Sequence, residues 1–378
     1  MADAVIAGVG EVPYRRHPAR GTTTESLLAG AARRALRNAG LKPGAIDGLA
    51  VASFSLVPDH AVDLAWKLGL RLRWLMEDTN GGASGINMLQ HAVGAVEAGD
   101  AEAILVLAGD RLTGEAFADL VTGYNAATRD FLAPIRFGGP NALFAFLTQR
   151  HMARHGLARE DYGELVIAQR EWAARNPGAV YREPLTLADY LAAPIVAEPL
   201  SRYDCAPVVA GADALIVTSG GSRRPVAVRA LRASYNHDQQ EGDGLRTGLA
   251  LAARSLWEEA GAGPEDVDLA IVYDDYPAIV LVQLEDLGFF AEGDAKRFVA
   301  QTVAQRRLPL NTSGGQLSAG QAGAAGGLHG LVEAVRQLRG EAGDRQVDGA
   351  RRALVTGYGM VLYRHGACTN AAVLERVR

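Results

Sequence analysis

The 378-residue chain has little of what several protein classes require. Its two cysteines, Cys205 and Cys368, cannot form a disulfide framework and lack C-x-x-C spacing, so we interpret them as small apolar residues without chemistry. A net charge of −5 provides no basic excess for binding nucleic acid. No apolar run reaches the ~18 residues of a membrane span, and the N-terminal residues lack a signal-peptide layout. We therefore expect a soluble cytoplasmic protein.

What the chain does have is an internal repeat. Residues 31–53 align without a gap with residues 252–274. In both copies an apolar-striped helix ends at a glycine, a proline-containing turn follows, and a short apolar run is typical of a buried strand. Residues 80–110 and 311–360 repeat a glycine-rich turn, a helix and a strand more weakly. Chance similarity between alanine-rich helices is the alternative, and the ungapped match argues against it.

This repeat predicts an α/β protein of two β-α-β-α-β halves, with a mixed, mostly parallel sheet covered by helices. The first half is expected over residues 1–222 and the second over residues 223–378. Residues from about 111 to 200 carry more aromatic, charged and proline residues. We interpret them as helical insertions in the first half, a place where α/β proteins often build pockets and subunit contacts.

Five motifs carry a family resemblance that covers essentially the whole chain. They are NGGASG (80–85), DCAPVVAGADALIVTSG (204–220), VYDDYPAIVLVQLEDLGF (272–289), LPLNTSGGQLSAGQAGAAGG (308–327) and TGYGM (356–360). As a set they resemble the thiolase superfamily, and within it the lipid-transfer-protein branch of sterol-carrier-protein-thiolase-like proteins. The resemblance implies that the duplicated halves form a layered αβαβα architecture.

The chain departs from the thiolase pattern where thiolases carry their catalytic residues. Gly82 stands where the family has its nucleophilic cysteine, and Tyr273 and Gln321 stand at two histidine positions. Covalent acyl transfer needs an activated thiolate and its base. We therefore expect no thiolase activity.

At these same positions the chain resembles cysteine-lacking, steroid side-chain-cleaving aldolases of the thiolase fold. The resemblance implies a carbon–carbon lyase that cleaves a β-hydroxyacyl-CoA, such as a 17-hydroxy steroid acyl-CoA, to a ketone and propionyl-CoA or acetyl-CoA. Tyr273 and Tyr358 would be its acid and base, in either order, because a tyrosine hydroxyl can pass a proton when its surroundings tune its pKa. The alternatives are that Tyr273 is a core tyrosine at a strand end whose hydroxyl is merely hydrogen-bonded, and that Tyr358 is a packing aromatic.

The remaining candidates concern substrate binding. Backbone N–H groups around Gly82 and Gly359 would hold the thioester oxygen, and the missing cysteine side chain at Gly82 would free volume for a bulky tertiary alcohol. The other candidates for substrate contact are Ser84, Asp274, Asn311 and His365. Alternatively, one of the two acids at 274–275 caps the next helix or bonds neighbouring backbone. We expect His329 to be structural.

We expect no bound cofactor and no metal, with a CoA thioester as the substrate. The resemblance further implies a homodimer and a small partner protein with an OB-fold and a zinc ribbon. Two alternatives remain open. One is a non-catalytic scaffold that holds an acyl-CoA or a lipid, and the other is a cysteine-free acyl-CoA decarboxylase or hydratase.

Overall fold

The computed structural model describes residues 4–137, 139–220 and 224–377. The predicted boundary between the halves, at residues 222 and 223, lies outside these ranges. The strands are β1 (Val5–Arg15), β2 (Gly48–Ala52), β3 (Trp74–Asp78), β4 (Ala103–Arg111), β5 (Ile195–Ala197), β6 (Leu200–Ser201), β7 (Ala210–Thr218), β8 (Val226–Tyr235), β9 (Leu269–Ile271), β10 (Arg352–Val361) and β11 (Gly366–Arg376).

The helices are also numbered in chain order. They are α1 (Thr24–Ala39), α2 (Ala61–Leu68), α3 (Ser84–Ala98), α4 (Gly114–Thr122), α5 (Gly139–His155), α6 (Arg159–Ala174), α7 (Leu187–Leu191), α8 (Leu249–Ala260), α9 (Pro277–Asp286), α10 (Ala295–Phe298), α11 (Gly315–Ala319) and α12 (Gly326–Arg339). None of the helices within the described ranges is long and apolar enough to cross a membrane.

The repeated helix, turn and strand appear as predicted. Helix α1 ends at Gly40 and α8 ends at Gly261, with φ angles of 72° and 58°. Glycine adopts this left-handed conformation without a Cβ clash, which is why it ends so many helices. A single helical turn then begins at Pro43 or Pro264, and β2 or β9 follows.

Within the part of the chain that the structure describes, the main sheet has nine strands in the order β3-β2-β4-β7-β1-β8-β11-β10-β9. The two halves meet at β1 and β8, which pair antiparallel. The sheet is mixed, as predicted, but the expectation of a mostly parallel sheet is wrong. Among the strands of the described residues, only β2–β3, β2–β4 and β9–β10 pair in parallel. The reason is that the predicted outline left out the returning strands β7 and β11, and both run antiparallel to each neighbour.

The helices and the sheet form the expected αβαβα layers. Helices α3 and α12 pack against each other and contact strands of both halves, so they form the central layer. Helices α1 and α2 cover the outer face of the first half, whereas α8 and α9 cover that of the second. Along the chain, helices α4 to α7 lie between β4 and β7. In the folded protein, α5 contacts α9 and α6 contacts α11.

Candidate active site

The glycine-rich turn before α3 lies directly against β10. A Cβ on Gly359 would stand 2.1 Å from the Asn80 carbonyl oxygen, and a Cβ on Gly357 would stand 3.0 Å from the Gly82 carbonyl oxygen. Glycine at these two strand positions lets the two backbones touch. Since side chains alternate across a strand, Tyr358 points to the opposite face from both glycines.

A cavity of about 320 Å³ opens beside this contact. Four predicted site residues line it: Gly82, Tyr273, Tyr358 and Gly359. Residues of α4, including Phe117, Leu120 and Val121, make one wall apolar. Such a cavity, mostly apolar with a few converging polar groups, is typical of a small-molecule site.

The space above Gly82 is filled by Tyr273. A Cβ on Gly82 would lie 2.1 Å from Cζ of Tyr273 and 2.2 Å from its hydroxyl oxygen. The expectation that Gly82 frees volume for the substrate is therefore wrong, because the tyrosine ring occupies that volume. Glycine at 82 and tyrosine at 273 are sterically matched.

Side chains fix the backbone that carries Tyr273. The Tyr273 N–H donates to Thr356 Oγ1 at 3.0 Å, and its carbonyl accepts from Gln283 Nε2 at 2.8 Å. The amide of Asn311 bonds both backbone groups of Val272, at 2.7 and 2.9 Å. These hydrogen bonds hold Val272 and Tyr273, the two residues that follow the end of β9. The backbone of Tyr273 is therefore fixed in place.

The Tyr273 hydroxyl belongs to a polar triplet with Asp275 and Gln321. Gln321 Nε2 donates to the Tyr273 oxygen at 3.0 Å and to Asp275 Oδ1 at 2.7 Å. Burial raises the pKa of Asp275 to about 7, while its hydrogen bond with Tyr273 lowers it. Burial and the Asp275 charge raise the pKa of Tyr273 well above its usual value. Near neutral pH the tyrosine is thus a proton donor, whereas Asp275 changes charge.

Tyr358 faces the same cavity from β10. Its hydroxyl accepts from the Gly366 N–H at 2.8 Å, and its ring lies edge-on to Phe144. Burial raises the pKa of Tyr358 above its usual value. A third tyrosine, Tyr124, also lines the cavity, and burial raises its pKa to about 12.

The other predicted binding residues do not line this cavity. Asp274 accepts from the backbone N–H groups of Gln316 and Leu317 at 2.8 and 3.3 Å, so it caps α11 rather than the next helix. Asn311 holds Val272 as described above. Ser84 is buried, and His365 lies with Nε2 3.5 Å from Asp238. Substrate contact by these four residues stays a prediction.

Asp275 was not among the predicted site residues, although the sequence contains a signal for it. Side chains alternate along an extended segment, so Tyr273 and Asp275 point to one side and Asp274 to the other. Tyr124 had no such signal, because it lies in the insertion.

Burial disfavours the thiolate form of both cysteines. Cys205 lines the cavity, but burial raises its pKa to about 12. Burial likewise raises the pKa of Cys368 to about 11. The thiolate is the nucleophile of a cysteine, so these raised pKa values disfavour nucleophilic attack by either thiol near neutral pH.

Comparison with known proteins identifies relatives of this chain. A family model described as thiolase C-terminal domain-like matches residues 231–372. The chain is 34% identical to 17-hydroxy-3-oxo-4-pregnene-20-carboxyl-CoA lyase of Mycobacterium tuberculosis, covering 93% of this chain and 95% of that protein. It is 31% identical to a steroid side-chain-cleaving aldolase of Thermomonospora curvata, covering 94% and 95%.

A solved structure is also similar to this chain. The Ltp2-ChsH2(DUF35) aldolase aligns with a TM-score of 0.85 and 29% identity over 100% of this chain and 98% of that one. The predicted resemblance is therefore confirmed. The chain belongs to the thiolase superfamily, in the sterol-carrier-protein-thiolase-like branch that holds the steroid side-chain-cleaving aldolases.

Proposed function

We propose that this chain cleaves a β-hydroxyacyl-CoA by a retro-aldol reaction, without a covalent acyl-enzyme. The observation that carries the proposal is the Tyr273 hydroxyl above Gly82, bonded to Gln321 beside Asp275 in a cavity that Tyr358 also lines. The names of the relatives favour a steroid side-chain CoA thioester with a 17-hydroxyl group. The apolar α4 wall suits a ring system.

The reaction needs a base, an electrophilic site and an acid. In our proposal Tyr273 takes the proton of the β-hydroxyl as it passes its own proton to Asp275. The C–O bond becomes a carbonyl, the Cα–Cβ bond breaks, and its electron pair moves into the thioester enolate. Amides around Gly82 and Gly359 hold the enolate oxygen, and Tyr358 protonates the α-carbon. Asp275 then loses its proton to water, and Tyr358 regains one.

Product analysis tests the proposal. The protein, with its partner, is incubated with a panel of β-hydroxyacyl-CoAs that includes a 17-hydroxy steroid thioester. We expect a ketone and a short acyl-CoA, such as propionyl-CoA or acetyl-CoA, in equal amounts by mass spectrometry. Loss of water or of CO₂ would instead favour the hydratase or decarboxylase, and binding without turnover would favour the scaffold.

We also propose a small partner protein. A solved structure that aligns over the whole chain is named Ltp2-ChsH2(DUF35) aldolase. This name favours a DUF35 partner, and we propose that the partner of this chain is the small OB-fold and zinc-ribbon protein expected from the sequence. Co-purification with the product of a neighbouring gene is the direct way to find it.

Homodimer formation is proposed at the outer edge of the first half. Strand β3 ends the sheet there, and an unpaired edge strand invites pairing with another chain. Apolar side chains beside it are exposed: Trp66 by 80%, Val62 by 60% and Leu75 by 42%. Exposed apolar patches of this kind mark contact surfaces.

Light scattering should therefore give about 80 kDa, twice the 39.9 kDa of one chain, or a larger complex with the partner. Trp66→Glu should shift the protein towards monomer, because it places a charge in the contact. Leu251→Glu, at a residue 70% exposed on α8, is the matched control. An active monomer at micromolar concentration would rule out this proposal.

A further inference from the structure

Three side chains converge between α5 and α9, away from the catalytic cavity. His151 and His155 are four residues apart on α5, so they share one face of the helix. Glu285 reaches them from α9, and one possible ligand atom of each residue lies within 4.8 Å of the others. The distance from His155 Nε2 to Glu285 Oε2 is 3.6 Å.

Two nitrogens of this cluster are buried and have no hydrogen-bond partner among the described residues. They are His151 Nε2 and His155 Nδ1. His151 is 0% exposed and His155 is 8% exposed. Buried polar atoms are nearly always satisfied in folded proteins, so two orphans in neighbouring rings require an explanation.

The surroundings prepare His151 as a ligand. Its Nδ1 lies 2.8 Å from the Tyr162 hydroxyl. When Nδ1 carries the proton and donates it to that oxygen, the Nε2 lone pair is free. Histidine ligands commonly donate their second N–H in this way.

We propose that His151, His155 and Glu285 bind a divalent transition-metal ion, with Zn²⁺ the best match. Two imidazoles and one carboxylate are ligands that zinc accepts, with a fourth position left for water. Glu285 is oriented for this role, since its Oε1 accepts from the Gly293 N–H at 3.2 Å. Two histidines at i and i+4 on a helix are a recurrent zinc arrangement.

The ion would clamp the insertion to the catalytic half. Helix α5 carries two residues that contact Tyr276 of the cavity wall. Asn141 accepts a hydrogen bond from the Tyr276 hydroxyl, and the Phe144 ring stacks on the Tyr276 ring. Helix α9 carries Gln283, which holds the Tyr273 carbonyl. Joining α5 to α9 would stabilise the folded protein and would fix the positions of Tyr273 and Tyr276 relative to each other.

Zinc binding to chelator-treated protein tests the site. Titration with ZnCl₂ alone should show one ion per chain by calorimetry and a higher melting temperature, because an ion that binds only the folded state stabilises it. Co²⁺ should give the visible absorption of a four-coordinate site. Tyr162→Phe should weaken Zn²⁺ binding by roughly 10–100-fold, as expected for a group that orients a ligand.

Glu285→Gln keeps the side-chain shape and should weaken binding at least as much. The matched control is His91→Ala, which removes an exposed histidine of α3 and should leave binding unchanged. Each variant is compared with its own metal-free melting curve, so a folding defect is separated from a binding defect. If Tyr162→Phe fails to fold, Glu285→Gln decides, since Glu285 is partly exposed. Absence of binding by the parent, or equal binding by the parent and Glu285→Gln, would overturn the proposal.

Discussion

Replacing Gly82 by alanine is expected to reduce turnover by about 100-fold or more and to destabilise the fold. The new Cβ would stand 2.1 Å from Cζ of Tyr273, so the ring must move. Overpacking of this kind costs about 1–3 kcal/mol of folding free energy. A shift of about 1 Å in a positioned group can cost about 100-fold in rate. Both kcat and the melting temperature should fall.

Gly94→Ala is the matched control, because Gly94 lies in the neighbouring helix α3 with no atom near its added Cβ. It should keep the parental rate, with unchanged or slightly higher stability. Gly82→Cys should behave like Gly82→Ala and gain no thiolase activity with acetoacetyl-CoA and CoA. A parental rate in Gly82→Ala would mean that the position of Tyr273 is unimportant.

Removing single proton-transfer groups is the second change with a large expected effect. Tyr273→Phe and Tyr358→Phe each delete a hydroxyl while keeping the ring, so the chemical step should slow by about 100-fold or more. Acyl-CoA affinity should stay near the parental value, and stability should fall by at most ~1 kcal/mol per lost hydrogen bond. Tyr363→Phe, at an exposed tyrosine, is the control.

Asp275→Asn separates the charge from the shape. The base needs ionised Asp275, and the pKa of Asp275 is about 7. The parental kcat/KM should therefore fall as the pH drops below about 7, because protonation removes the proton acceptor. The Asp275→Asn variant should have a low kcat/KM at every pH, and its kcat/KM should not fall further as the pH drops below about 7. Near-parental kcat in both tyrosine variants would defeat the mechanism.

The duplicated architecture could be predicted because each repeat contains its own helix-ending glycine, proline turn and strand. Strand direction could not be predicted in the same way. A long connection precedes β7 and a short one precedes β11. The length of a connection alone does not determine which strand its next strand pairs with. Both strands pack against α3 and α12, and local sequence patterns do not describe such long-range contacts.

The site was predicted in part for a similar reason. Gly82, Tyr273, Tyr358 and Gly359 stood in recognisable motifs, and all four line one cavity. The filling of the space above Gly82 depends on the direction of a ring almost two hundred residues away in the chain. The contribution of Asp275 depends on burial, which raises its pKa and which no local pattern reports.

The most direct test of the central claim follows the fate of the CoA group. The steroid β-hydroxyacyl-CoA is cleaved in the presence of isotopically labelled free CoA, and the short acyl-CoA product is examined by mass spectrometry. Retro-aldol cleavage leaves the original thioester bond intact, so the product should be unlabelled and should form equally well without free CoA. A labelled product, or an absolute need for free CoA, would reveal an acyl-enzyme and contradict the account.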